Sequence, residues 1–121
     1  MPIAKLVGLT RLAKPLTSEE GRRILERDQY RCQYCGLDGM SSFENSLIMT
    51  VDFVRPRANK GKKTSDNLVT ACRPCNMLKG LRSFDSLADA KTYVLERRAE
   101  LRMEWESAMT PIRGRSARAS E

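Results

Sequence analysis

Arg31-Cys32-Gln33-Tyr34-Cys35-Gly36 and Cys72-Arg73-Pro74-Cys75-Asn76 hold all four cysteines of the chain, in two matched Cys-x2-Cys pairs. Two residues between thiols is the spacing of a turn that aims both sulfurs at one ion. Four thiolates around zinc make a closed, tetrahedral, structural site with no position left for a substrate. The pattern predicts a structural zinc on Cys32, Cys35, Cys72 and Cys75, and by itself says nothing about catalysis. Two other readings stay open here: a pair of disulfides, or one pair acting as a redox couple. Disulfides call for an oxidising compartment, and the start of the chain shows no signal-peptide pattern. A thioredoxin-like motif would sit beside a βαβ pattern, and the sequence has none.

At 121 residues the chain reads as one small domain with additions at both ends. Such a chain buries a modest core, and a structural metal would contribute the folding energy that apolar burial lacks. Its longest apolar runs are too short to cross a bilayer. The expectation is a cytoplasmic protein with no membrane partner.

The net charge of +7 is concentrated in one place. Residues 53–84 contain Arg55, Arg57, Lys60, Lys62, Lys63, Arg73, Lys79 and Arg82 against the single acid Asp66, and the remaining stretches cancel. A solvated basic loop is the simplest account of such a run. Its coincidence with the second cysteine pair points instead to a polyanionic partner, most simply nucleic acid.

The remaining signals are local. Residues 1–16 read as a weakly amphiphilic N-terminal arm closed by Pro15. Thr17-Ser18-Glu19-Glu20 has the form of a capping box, opening a helix to about Asp28. Residues 37–46 look like a loop, and Leu47–Val54 is the best strand. A basic loop follows, then Asn67–Ala71 as a short second strand or bridge, then a helix from about Pro74 to Lys79 that stops at Gly80. Ser86-Leu87-Ala88-Asp89 opens a longer helix to about Ser107, with Leu87, Ala90, Val94, Leu101 and Trp105 on one face as a core-packing stripe. The segments are thus 1–16 as arm, 17–84 as zinc-bound core, 85–108 as a helix packed on that core, and 109–121 as a basic tail expected to be disordered.

Three stretches, read in order, resemble a known family. They are Arg27-Asp28-Gln29-Tyr30-Arg31-Cys32-Gln33-Tyr34-Cys35-Gly36, then Thr50-Val51-Asp52-Phe53-Val54-Arg55-Pro56-Arg57, then residues 66–80 from Asp66-Asn67-Leu68 through Cys75-Asn76 to Lys79-Gly80. Together they resemble the HNH endonuclease family in its zinc-bearing ββα-metal form, over about half the chain. The resemblance implies an α+β fold: a small ββα-metal core with a four-cysteine zinc site, flanked by an N-terminal helix and a long C-terminal helix. It also implies phosphodiester cleavage with one divalent ion, magnesium or manganese. By that resemblance Asp52 and Asn76 match the protein ligands of the catalytic ion, and Asn67 matches the middle asparagine, so the candidate catalytic residues are Asp52, Asn67 and Asn76.

One position departs from the pattern. The family's strand reads Asp-His-x-x-Pro, and this chain reads Asp52-Phe53-Val54-Arg55-Pro56. The chain contains no histidine at all, so no other imidazole can take the role. A positioned general base contributes on the order of 100- to 10,000-fold. A metal that lowers the pKa of bound water can leave some turnover without it. The resemblance therefore implies a nucleic-acid-binding protein, a divalent-metal endonuclease weakened at Phe53, with an inactive zinc module that binds DNA or RNA as the alternative. An interaction protein with no nucleic-acid role is a third reading. The expected partner is nucleic acid, DNA ahead of RNA, held by Arg55, Arg57, Lys60, Lys62, Lys63, Lys79 and Arg82; monomer and dimer are equally compatible. Each site residue also has a plainer role: Asp52 as the partner of a nearby Arg or Lys, Asn67 as a turn former, Asn76 as a helix polar group, Phe53 as a packing or base-stacking ring, and Tyr30 and Tyr34 as packing residues.

Overall fold

The computed structural model describes residues 17–56 and 59–120. The expected N-terminal arm at 1–16 and the basic residue Arg57 lie outside the described residues. Helix α1 (Ser18–Arg27) opens on a complete capping box: the Thr17 hydroxyl accepts from the Glu20 backbone N–H at 3.1 Å, and the Glu20 carboxylate accepts from the Thr17 N–H at 2.9 Å. These bonds satisfy two amides that a helix start otherwise leaves unpaired. Lys63 adds an ion pair to Glu20 at 3.0 Å. The backbone bond to Thr17, then Lys63, draws the Glu20 pKa down to about 2.

The far end of α1 is stapled to the sheet. The Arg27 guanidinium donates to the carbonyls of Ser65 and Leu68, both at 2.7 Å. The Asp28 carboxylate accepts the Thr70 N–H at 2.8 Å. Desolvation pushes against its charge, yet the bonds from Arg27 and Thr70 outweigh that and leave its pKa lowered. Gln29 and Tyr30 then take positive φ values of 54° and 53°, reversing the chain into the first cysteine turn.

That turn is closed by Cys32 N–H to Leu37 O at 3.0 Å and Gly36 N–H to Cys32 O at 3.0 Å, with Gly36 at φ 82°. The segment expected as loop holds a short helix, α2 (Phe43–Leu47). Ser42 reads as a loop residue in isolation, but its hydroxyl accepts the Asn45 N–H at 3.0 Å and so caps a turn of helix. Leu47 closes α2 and Ile48 is its C-cap, which shortens the expected strand to β1 (Met49–Phe53).

β1 pairs antiparallel with β2 (Leu68–Cys72), with Asp52 opposite Val69 and Phe53 opposite Leu68. All five residues of β2 are buried, because α1 and the first cysteine turn lie against it. Helix α3 (Arg73–Lys79) begins directly after the last β2 residue, Cys72, with Pro74 in its first turn, where a missing N–H costs nothing. It ends at Gly80, whose φ of 58° and ψ of −138° fall in a region that only glycine enters readily.

Helix α4 (Leu87–Ser120) starts where the Ser86 hydroxyl accepts the Asp89 N–H at 3.1 Å. Ala90 and Val94 are completely buried, joining Val54, Val69, Ala71, Tyr34 and three of the cysteines in one small core. The apolar stripe leaves that core after Val94: Leu101 is half-buried, and Trp105 is 48% exposed with the Arg113 guanidinium 4.9 Å from its ring centre. The helix does not stop near Ser107, and residues 109–120 are not a disordered tail but its continuation. Pro111 removes one N–H from the ladder, a local loss. The arginines and alanines beyond it favour helix enough to carry on, and the Thr110 hydroxyl donates to the Glu106 carbonyl at 2.7 Å. No helix among the described residues is long and apolar enough to cross a membrane.

Two substitutions test this account by denaturant unfolding of the metal-loaded protein. Thr17→Ala should cost about 0.5–2 kcal/mol through the lost cap. Gly80→Ala should cost about 1–3 kcal/mol from backbone strain alone, because an added methyl group meets nothing closer than 3.7 Å.

Candidate metal centre and nucleic-acid face

The first cysteine turn and the β2–α3 junction bring the two pairs together. The four Sγ atoms lie within 4.8 Å of one another, and Cys35 and Cys72 are 3.7 Å apart. Sulfurs bound to one tetrahedral zinc at about 2.3 Å would be about 3.8 Å apart. Disulfide sulfurs would be about 2.05 Å apart, and all four cysteines are free. The Cys35 N–H points at Cys32 Sγ at 3.4 Å, which supports negative charge on that sulfur. Bonds from Cys72 and Cys75 hold the Cys32 thiol far below its usual range, and the same bonding to Cys32 pushes Cys72 up to about 11 and Cys75 higher still. Negative charge thus settles first on Cys32, shared by its neighbours' thiols, and the four-sulfur donor set fits zinc.

One residue beside this centre carries no sequence signal. Arg98, on α4, sits 3.6 Å from Cys75 Sγ. Burial works against its charge, and the field of Cys75, Cys35 and Cys72 more than restores it. Arg98 lies 23 positions beyond Cys75, so only the docking of α4 brings them together.

Asp52 lies at the end of β1 and is 6% exposed. Its Oδ2 accepts the Tyr34 hydroxyl at 2.5 Å and lies 3.4 Å from the Lys79 ammonium. Lys79 is 1% exposed and also donates to the Phe53 carbonyl at 2.8 Å. Burial raises the Asp52 pKa, opposed by Tyr34 and Lys79. Burial, with the Asp52 charge beside it, pushes the Tyr34 phenol well above its usual range. Asp52, Tyr34 and Lys79 form a closed polar triad inside the core.

The remaining candidates are spread around this triad. The Asn76 side chain donates to the Thr50 hydroxyl at 3.1 Å, two residues along β1 from Asp52, so Lys79 rather than Asn76 contacts the carboxylate. Asn67 laces the basic loop together: its Oδ1 accepts the Arg55 N–H at 2.8 Å, and its Nδ2 donates to the carbonyls of Arg55 and Lys62. Phe53 is half-buried at the last β1 position. The expectation that Lys79 contacts phosphate is corrected, because its ammonium is sealed in the core by Asp52 and the Phe53 carbonyl. Lys60, Lys62 and Arg82 are exposed, Arg55 reaches the exposed Asp85 at 2.6 Å, and Lys63 is engaged by Glu20.

The strands, the thiol cluster and α3 fall within a segment that is similar to a known family. Residues 32–82 match the family model described as HNH endonuclease. This segment is similar to the HNH endonuclease family. No curated protein matches the chain. No solved structure matches it either. The HNH segment begins at the first cysteine and ends just past α3, so it contains the thiol cluster, both strands and the basic loop. α1 and the whole of α4 lie outside it.

Three outcomes follow. Elemental analysis should find about one zinc per chain, and Cys32→Ser should unfold the HNH core or abolish zinc binding. Lys79→Met should cost about 3–5 kcal/mol in denaturant unfolding, because it leaves a buried carboxylate unpaired. Adding Asp52→Asn to Lys79→Met should recover part of that loss.

Proposed function

We propose that this chain is a nucleic-acid-binding HNH module that lacks efficient phosphodiester hydrolysis. The observation that carries this is Phe53 at the position where the resemblance expects the proton acceptor, in a chain without histidine. A phenyl ring cannot take a proton from water, and the Tyr34 phenol is committed to Asp52.

The metal side of the chemistry points the same way. The resemblance assigns magnesium or manganese to Asp52 and Asn76. The arrangement around Asp52 does not fit a divalent ion: the carboxylate is buried, and a cation already stands beside it. A hard dication of that kind keeps several waters, which this site has no room for while Lys79 fills it.

Binding has a separate source. Lys60, Lys62 and Arg82 are exposed ammonium and guanidinium groups around the basic loop, and Asn67 holds the loop backbone in place. Contacts of this kind take phosphates without reading sequence. DNA is the first partner to test.

Two measurements decide between binding and cutting. Affinity for a DNA duplex, followed by fluorescence anisotropy, should fall steeply with salt, and Lys60→Ala with Lys62→Ala should lower the slope of log K against log salt by about two. Plasmid incubated with magnesium or manganese should show no nicking beyond that of Asn76→Ala, and Phe53→His alone should stay inert because Asp52 remains tied to Lys79. Nicking by the unaltered protein that disappears in Asn76→Ala would establish the enzyme instead.

A further inference from the structure

A groove runs between the loop after β1 and the start of α4. It encloses about 350 Å³, at the small end of the roughly 300–1,000 Å³ typical of ligand clefts. Its apolar part is formed by Val54, Phe84 and Leu87, and Lys60 and Lys62 line it beside them. Phe84 is half-buried, and its ring lies 5.6 Å from that of Tyr93, which in turn carries the Arg82 guanidinium at 4.8 Å. The aromatic group is thus held by packing rather than free to swing. Asn67 also lines the groove, and its three bonds fix the loop that carries Lys60 and Lys62.

An apolar, aromatic wall next to two ammonium groups suits a ligand that is flat at one end and anionic at the other. A single nucleotide has that form. A base inside a duplex is stacked on both faces and cannot present its ring to Phe84, whereas an unpaired base can. We propose that this groove holds one unpaired nucleotide of a bound strand, with its base against Phe84 and its phosphate at Lys60 and Lys62. The proposal rests on the nucleic-acid-binding reading above and names the form of nucleic acid preferred.

Two acids temper the site. Asp66 and Asp85 also line the groove, and Asp85 is paired with Arg55. The Asp85 side chain is 90% exposed, so its pairing is worth little to the fold. Its charge opposes an incoming phosphate and occupies the Arg55 guanidinium. Removing it should therefore strengthen binding, an effect that loss of folding cannot mimic.

The test compares three DNA probes of one sequence at low salt by fluorescence anisotropy: a paired duplex, the same duplex with a one-base bulge, and the single strand. The bulged duplex and the single strand should bind more tightly than the paired duplex, by roughly 5- to 100-fold. Phe84→Leu should erase that preference while leaving binding to the paired duplex in place. Asp85→Asn should tighten binding to the bulged probe several-fold. Equal affinity for paired and bulged probes, with Phe84→Leu and Asp85→Asn both without effect, would overturn the groove and leave the nucleic-acid module standing. Absence of binding to all three probes would overturn both.

Discussion

Four sulfur atoms drawn into a space 4.8 Å across are the constraint on which the rest of this small protein depends. Like groups so close together repel once they lose their protons, and a single cation turns that repulsion into the strongest cross-link available to the chain. The two cysteine turns come from distant parts of the sequence. Holding them together fixes β2, positions the start of α3 and sets the place where α4 docks through Ala90, Val94 and Arg98. The buried apolar set is short, and much of it is sulfur, alanine and valine. A core of that size gains little from area alone, which gives a reason for four cysteines suited to a metal ion at its centre.

A second polar cluster, Tyr34, Asp52 and Lys79, lies within the same core and works by a different balance. An isolated buried carboxylate or ammonium is costly, and each removes much of the other's penalty. The phenol completes the set by donating to the same oxygen that faces the ammonium. The triad joins the first cysteine turn, β1 and α3, and the first and last of these also carry thiols. What the family resemblance presents as a reaction centre is, at this end of the strand, a structural tie.

Much of this was legible in the sequence because it rested on local chemistry. The Cys-x2-Cys pairs marked the cluster, Thr17 and Glu20 marked the start of α1, Pro74 and Gly80 bracketed α3, and Ser86 marked the start of α4. What is not legible there depends on the third dimension. Lys79 looked like one more cation in a basic segment, and only the packing of α3 on β1 shows that it points inward. Arg98 looked like any charge on an exposed helix until α4 met the thiols. The continuation of α4 past Pro111 was hidden because a proline surrounded by glycine, serine and arginine has the composition of a tail. Ser42 gives no clear signal because a lone hydroxyl serves a turn and a cap equally well.

The length of α4 has a mechanical consequence. At about 1.5 Å per residue, the part beyond Val94 reaches roughly 40 Å from the core. A spar of that length makes a molecule of 13.7 kDa tumble more slowly than a compact one of the same mass. It also gives whatever grips its tip long leverage over Arg98 and the thiol cluster at its root.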